Sequence, residues 1–230
     1  MGLAQMTADD VILELRGKSS EDHAKFCEKI LFGKERGDRR NVVLGCRVPE
    51  LRKMAKKHAF SLSDGDLLRL LKSEYHDGRA LALMIMVLRF QSGDEDGRRC
   101  VADMYLSHTA FINSWDLVDV SASHIVGAHF PKDGPIFEKL SDSDSLWENR
   151  IAVVATQAHI RCDNFETTLR LCRKFLHHGH HLIHKACGWM LREVGKRNEG
   201  LLVDFLRENH RSMPRIMLSY AKERLKNVQL

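Results

Sequence analysis

Three tryptophans in this sequence stand at helical spacing from ionisable side chains. Trp115 and Asp119 are four residues apart, so on a helix they share one face and present an indole beside a carboxylate. Both groups attract positive charge, and the pair can stabilise a cation that develops during a reaction. Any one of the tryptophans alone is equally typical of a half-buried packing residue whose charged neighbours face solvent.

A second pattern combines cations with an aromatic ring and suits a polyanion. Lys185, Trp189, Arg192 and Lys196 follow one another at intervals of four, three and four residues, which makes one stripe along a helix. Basic residues also crowd the segment 47–57. The residues expected to contact a phosphate backbone are Arg47, Arg52, Lys56, Lys185, Arg192, Lys196 and Arg215. Charge runs on helices are usually solvated faces, so we expect only about half of the basic residues in these two patches to contact phosphate.

The overall composition favours an anionic partner without identifying it. Lys and Arg outnumber Asp and Glu by 36 to 31, for a formal charge of +5 before any of the 13 histidines is protonated. The six cysteines include no CxxC pair and are expected to be reduced, mostly buried thiols of an intracellular protein. No segment approaches the ~20 apolar residues that cross a bilayer, so we expect a cytoplasmic protein with no membrane partner.

The elements that position these residues are predicted to be helices throughout. Start signals recur along the chain, and no turn pattern predicts a hairpin. The predicted starts lie at Thr7 with Asp10, Pro49, Ser63 with Asp66, Ser114, Asp163 with Glu166, and Pro214, whose helix is expected to end near Leu225. Helices of about 10 to 17 residues, paired every ~35 to 40 residues, favour an all-α, HEAT-like solenoid with a concave binding face. No linker divides residues 1–230, so we predict one domain.

A histidine cluster raises the question of a metal site. His177, His178, His180, His181 and His184 are close in sequence, and imidazoles at such spacing can chelate. No carboxylate or thiolate set accompanies them and the segment is expected to be an exposed loop, so we expect no metal there. Contact with phosphate at lower pH is a second possible use.

Several blocks of the sequence resemble the signature blocks of the AlkD-like DNA alkylation repair family. These are the runs NSWDLVD at 113–119, LWENRIA at 146–152 and KACGWMLRE at 185–193, in the right order and spacing. Supporting blocks are LGCRVPELR at 44–52, MPR at 213–215 and YAKERL at 220–225. The resemblance covers about residues 20 to 227.

The resemblance implies a HEAT-like-repeat DNA glycosylase that acts, without metal or other cofactor, on duplex DNA containing N3-alkyladenine or N7-alkylguanine. A solenoid of this length usually works alone, so we expect a monomer. By motif position, Trp115, Asp119 and Trp189 would line the site around the sugar of the damaged nucleotide. Arg150 would support the DNA and the geometry of the site. Members of the family engage duplex DNA without inserting the base into an enclosed pocket, unlike the general pattern of base flipping.

The sequence departs from the family pattern in three places. The segment 32–40 lacks the aromatic residue that often precedes the block at 44–52, Ser219 replaces a common arginine, and Asn149 replaces a second basic residue. Two alternatives stay open: a paralogue that binds damaged or branched DNA without excising bases, which the missing aromatic favours, and a scaffold for protein partners, which is the commonest use of solenoids. The presence of Trp115, Asp119, Arg150 and Trp189 favours the glycosylase over both.

Overall fold

The computed structural model describes residues 6–32 and 41–225. Within these ranges the fold is all-α, as predicted, and the only pairing of extended backbone is an isolated bridge between Val42 and Tyr75. The chain divides into two compact units, one up to Ser121 and one from Ala122, and the boundary falls inside a helix. The prediction of one domain over residues 1–230 stays a prediction.

The helices of the first unit, up to the helix that contains the boundary, are α1 Ala8–Arg16, α2 Glu21–Phe32, α3 Val48–His58, α4 Asp64–Leu71, α5 His76–Ser92, α6 Glu95–Leu106 and α7 Trp115–His129, with a 3-10 turn at Thr109–Phe111. Those of the second unit are α8 Ile136–Ser141, α9 Leu146–Ala155, α10 Gln157–Arg161, α11 Glu166–Lys174, α12 His181–Arg197, α13 Glu199–Asn209 and α14 Arg215–Lys222, with a 3-10 turn at Phe175–His177. The last helix ends three residues before the predicted Leu225.

The predicted helix starts are mostly confirmed because capping is a local interaction. Thr7 and Asp10 form a capping box, and the Ser63 hydroxyl accepts from the backbone N–H of Asp66. The start at Asp163 is wrong. Its φ is +57°, in the left-handed region, and α11 begins at Glu166. The Asp163 carboxylate instead accepts from Nε and Nη2 of Arg197, at 2.7 and 2.8 Å.

The core of the first unit forms around α5. This helix is apolar on nearly every side, which is typical of a helix surrounded by protein, and it is buried from His76 to Leu83. Helices α3 and α4 pack against it, and α4 presents Leu67 and Leu70 to the core. Tyr105 of α6 is fully buried, and its hydroxyl lies 3.0 Å from Oγ of Ser121.

The core of the second unit forms around α12, which packs against α9, α11, α13 and α14. At the crossing with α14 the two backbones come close at Gly188, where a Cβ would lie 2.5 Å from the carbonyl oxygen of Met217. Asn149, the residue that replaces a basic one in the family pattern, is buried. Its Nδ2 donates to the carbonyls of Leu140 and Ser143, at 3.0 and 2.8 Å, so it binds the C-terminal end of α8.

Two composition-based expectations can be compared with this fold. Within residues 6–32 and 41–225, no helix is both long and apolar enough to cross a membrane. Of the six cysteines, Cys46, Cys172 and Cys187 are buried, Cys27 is half-buried, and Cys100 and Cys162 are exposed. All six are free thiols.

Candidate functional site

The first unit contains a cavity of about 430 Å³, and Trp115 and Asp119 both line it. Helix α7 begins at Trp115, directly after the buried Ser114, so its first turns carry both side chains to the cavity. Apolar side chains form much of the remaining wall, including Ile30 and Leu31 of α2, Val43, Leu51 of α3 and Met84 of α5. The polar side chains on the wall include Arg52, His76, Asp77 and Asp116.

Asp116 is held by hydrogen bonds on both carboxylate oxygens. His76 Nε2 lies 2.8 Å from Oδ2, and the Ser114 hydroxyl donates to Oδ1 at 2.5 Å. Burial raises the pKa of Asp116, but hydrogen bonds from His76, from Ser114 and from the backbone N–H of Leu117 outweigh burial and leave the pKa below its ordinary value. Asp116 is therefore ionised at neutral pH and fixed in direction.

The side chain of Asp77 fixes part of the cavity wall by binding backbone N–H groups of that wall. This buried carboxylate in the first turn of α5 accepts from the N–H groups of Leu44 and Cys46, at 2.7 and 2.8 Å. An acid in a first helical turn is favoured by the helix dipole. The segment between α2 and α3 that contributes Val43 and Cys46 to the wall is thus tied to the helix that carries His76.

The thiols on the wall are poor nucleophiles. Burial, together with the charge and hydrogen bond of Asp77, raises the pKa of Cys46 to about 12. Burial also raises the pKa of Cys27. A thiol needs its thiolate form to attack, so neither of these two thiols is activated as a nucleophile.

The predicted phosphate contacts of the first unit lie on or beside α3. Arg47, Arg52 and Lys56 are exposed and form no ion pair with any residue in the described ranges. Their neighbours differ, because Lys53 pairs with Glu50 at 2.9 Å and Lys57 pairs with Glu14 at 2.8 Å. The first three are therefore the better candidates for an external anion.

In the second unit the predicted stripe on α12 is present, but an acid interrupts it. Glu193 Oε1 accepts from the indole N–H of Trp189 at 3.1 Å and from Nζ of Lys196 at 2.6 Å, and it lies 3.7 Å from Nε of Arg192. Arg192 also pairs with Glu223. The stripe is thus partly neutralised within the chain, and Glu193 fixes the Trp189 ring.

Arg150 and the two remaining predicted contacts of this unit differ in burial. Arg150 is 4% exposed, and its Nη1 donates to the carbonyl oxygen of Leu182 at 2.7 Å. This bond connects α9 to the first turn of α12, so Arg150 helps to position the helix that carries Lys185 and Trp189. Lys185 is half-buried, whereas Arg215 at the start of α14 is exposed.

The histidine cluster mainly supports the start of α12. Nδ1 of His180 accepts from the N–H of Leu182 at 3.1 Å, and Nδ1 of His178 accepts from the N–H of His180 at 3.0 Å. His178 also lies 3.2 Å from Oδ1 of Asn149. Of the five, His177 and His181 are exposed and the others are partly buried. Among the residues that the structure describes, no group of three or more His, Cys, Asp or Glu side chains is arranged to hold a metal ion.

The sequence matches the family model described as DNA alkylation repair enzyme over residues 11–225, nearly the whole chain. The protein belongs to the DNA alkylation repair enzyme family. The solved structure of a predicted DNA alkylation repair enzyme from Enterococcus faecalis superposes with a TM-score of 0.72 at 15% identity, covering 92% of this chain and 98% of that chain. This likeness shows an all-α helical-repeat fold, as predicted; the concave DNA-binding face stays a prediction. The comparison with curated proteins gives no match.

The candidate site includes residues that the sequence interpretation missed. His76 and Asp116 meet across 40 positions of sequence, and Asp77 contacts the segment 44–46 across more than 30. Only Asp116 carried a local signal, since it lies inside the block at 113–119. The altered segment at 32–40 lies, apart from Phe32, outside the described residues.

Proposed function

We propose that this protein is a monofunctional DNA glycosylase that hydrolyses the N-glycosidic bond of N3-alkyladenine and N7-alkylguanine in duplex DNA. The observation that carries the proposal is the presence of Trp115 and Asp119 on the wall of one cavity, on the first turns of α7. Membership of the DNA alkylation repair enzyme family supplies the substrate, DNA, and the general role in repair.

The chemistry requires little from the protein beyond charge stabilisation. An N3- or N7-alkylated purine carries a positive charge and leaves as a neutral base, so no general acid is needed. As the bond breaks, the deoxyribose gains oxocarbenium character, which a carboxylate and an aromatic face stabilise. Asp119 provides the charge and Trp115 the aromatic face. A water molecule then adds to C1′ and loses a proton, and Asp119 can orient that water.

Trp189 and Arg150 belong to the second unit, and the roles proposed for them come from the family resemblance alone. Two contacts support a fixed Trp189: its indole N–H donates to Glu193, and Arg150 connects α9 to the beginning of α12. A fixed aromatic side chain is already oriented when substrate binds, which reduces the entropy lost on binding. In this proposal the protein acts as a monomer on alkylated duplex DNA and uses neither metal nor another cofactor.

The test measures the release of free base from duplex DNA that contains N7-methylguanine. The reaction is run under single-turnover conditions, and the released base is quantified by chromatography. An attractive charge pair at ~4 Å contributes about 4 kcal/mol at an effective dielectric constant of 20. Asp119 is partly exposed, so we expect Asp119→Asn to slow excision by ~10²- to 10³-fold while binding changes little. Asp103→Asn, an exposed acid on α6, is the matched control and should excise at the wild-type rate.

Other outcomes would change the proposal in defined ways. Binding of abasic or distorted duplex without base release would favour the non-catalytic DNA-binding paralogue. Absence of both binding and release would favour the protein-interaction scaffold. An equal loss of binding and excision in Asp119→Asn would contradict a role for its carboxylate in the transition state.

A further inference from the structure

One carboxylate oxygen on α12 is surrounded by donors from the helix's own basic stripe. Oε1 of Glu193 accepts from the indole N–H of Trp189 at 3.1 Å and from Nζ of Lys196 at 2.6 Å. Nε of Arg192 lies 3.7 Å from the same oxygen, and it is buried with no hydrogen-bond partner among the described residues. Two cations and an indole N–H around one oxygen form an anion-binding site, and the protein fills it with its own acid.

The helix itself places the acid inside the stripe. Glu193 is four residues after Trp189 and three before Lys196, so the three side chains share one face of α12. The side chain of Glu193 is 18% exposed and that of Arg192 is 19% exposed. Solvent ions screen such partly buried charges less than they screen exposed ones. The internal contacts should therefore persist at physiological salt.

The cations of α12 differ in this respect from those of α3. Arg192 pairs with a second acid, Glu223, which follows α14. On α3, by contrast, Arg52 and Lys56 are exposed and have no ion pair within the described ranges. A phosphate can bind the α3 cations directly, whereas at Arg192 and Lys196 it meets carboxylates that are already in place.

We propose that Glu193 is an internal competitor of DNA phosphate. Its carboxylate occupies the position that a phosphate oxygen would take on Arg192 and Lys196, and it lowers the affinity of α12 for undamaged duplex DNA. The inference rests on the proposed function for its ligand, DNA. A phosphate at these cations must displace the carboxylate or bind beside it, and two anions repel each other. Because phosphate contacts supply essentially all non-specific affinity, this competition limits retention of the protein on undamaged DNA.

The test is the binding of a short undamaged duplex, measured by fluorescence anisotropy at several salt concentrations. Glu193→Gln removes the charge but keeps an oxygen that can accept from the Trp189 indole. One additional phosphate contact raises the slope of log Kd against log salt by about 0.9 and tightens binding about eightfold at ~0.1 M salt. We expect Glu193→Gln to show both changes.

Two control variants separate local competition from net charge. Glu199→Gln removes the same charge from the exposed first turn of α13 and should change Kd much less. Glu193→Asp keeps the charge and should bind like wild type. If Glu193→Gln fails to fold by circular dichroism, Glu193→Ala replaces it, with the same expected changes in Kd and slope.

A double-mutant cycle with Lys196→Ala tests the mechanism directly. If Glu193 acts by occupying Lys196, then Glu193→Gln should tighten binding less when Lys196 is absent. An equal gain with and without Lys196 would overturn the inference, as would a gain no larger than that of Glu199→Gln. So would a Kd and slope unchanged by the loss of the Glu193 charge, or a lack of DNA binding in both wild type and Glu193→Gln.

The measurement needs neither a lesion nor turnover, so the two proposals fail in different ways. A protein whose Glu193→Gln variant binds undamaged duplex more tightly, but whose wild type releases no base, would contradict the glycosylase and leave the role of Glu193 intact. A wild type that releases N7-methylguanine, with the same Kd and salt slope in Glu193→Gln, would overturn only the role of Glu193.

Discussion

The close crossing of α12 and α14 predicts that Gly188→Ala destabilises the second unit, although alanine is the better helix former. Gly188 lies inside α12, immediately before Trp189. An added Cβ would lie 2.5 Å from the Met217 carbonyl oxygen, 2.6 Å from the Tyr220 Cβ and 3.2 Å from the Met217 Cα. Two of these atoms are backbone, so rotation of a side chain cannot relieve the contact.

The expected magnitude follows from two opposed effects. Ordinary contact begins near 3.4 Å, so α14 must move by roughly an ångström. Such overpacking costs about 1–3 kcal/mol, and the displacement also loosens the buried Met217 and Ala221. The gain in helix propensity is at most about 1 kcal/mol. We therefore expect a net loss of ~1–2 kcal/mol, or a Tm lower by about 2–8 °C for a chain of this size.

The assay is thermal unfolding followed by circular dichroism, with Gly65→Ala as the matched control. Gly65 also lies in a helix, α4, but its nearest neighbour to an added Cβ is Ser63 Oγ at 3.7 Å. This control should be neutral or stabilised by up to ~1 kcal/mol. A Gly188→Ala protein at least as stable as wild type would refute the reasoning, because it would mean that the two helices separate without cost.

Two further predictions concern charges. Burial raises the pKa of Glu14, but hydrogen bonds from Lys57 and His58 lower it more. The stability that the Glu14 carboxylate contributes is therefore present above its pKa in the unfolded chain and is lost as pH falls through its pKa in the folded protein. Glu14→Gln should be less stable than wild type in urea unfolding at pH 7 and approach it near pH 3, and a difference that stays constant with pH would contradict this. Lys56→Ala should reduce the slope of log Kd for duplex DNA against log salt by about 0.9 if Lys56 contacts one phosphate, and Lys53→Ala, whose lysine pairs with Glu50, should change the slope less.

Local patterns in the sequence predicted much of the fold. The caps at Thr7 and Ser63 depend on atoms three residues apart, and Trp115 and Asp119 line one cavity because they are four apart on one helix. The start predicted at Asp163 was wrong: its backbone is left-handed, and its carboxylate binds Arg197, 34 positions away, instead of capping α11. A helix cap can thus be predicted from the sequence only when no distant residue binds the capping side chain.

The candidate site was harder to predict because its other contacts either join residues far apart in the sequence or pair a basic residue with an acid of the same helix. The His76–Asp116 contact depends on how α5 packs near the start of α7, which no spacing in the sequence shows. The residues of the predicted stripe all lie on α12, but Glu193 binds Trp189 and Lys196 within the same helix. Counting cations without their acids therefore overstated the basic surface of this helix.

The segment 41–47, which contributes Val43 and Cys46 to the cavity wall, has no regular secondary structure, yet its backbone has little freedom to vary. Gly45 has a φ of +78°, and a Cβ there would lie 2.4 Å from the carbonyl oxygen of Ser20 and 2.5 Å from the nitrogen of Ala24. The buried Asp77 fixes the N–H groups on either side, at Leu44 and Cys46. Loops commonly change by insertion and deletion, but the constraints at residues 44–46 lead us to expect that the segment 41–47 diversifies through side chains such as Val43. Under the proposed function, substitutions at this wall that aim to change lesion preference should therefore exchange side chains at constant length.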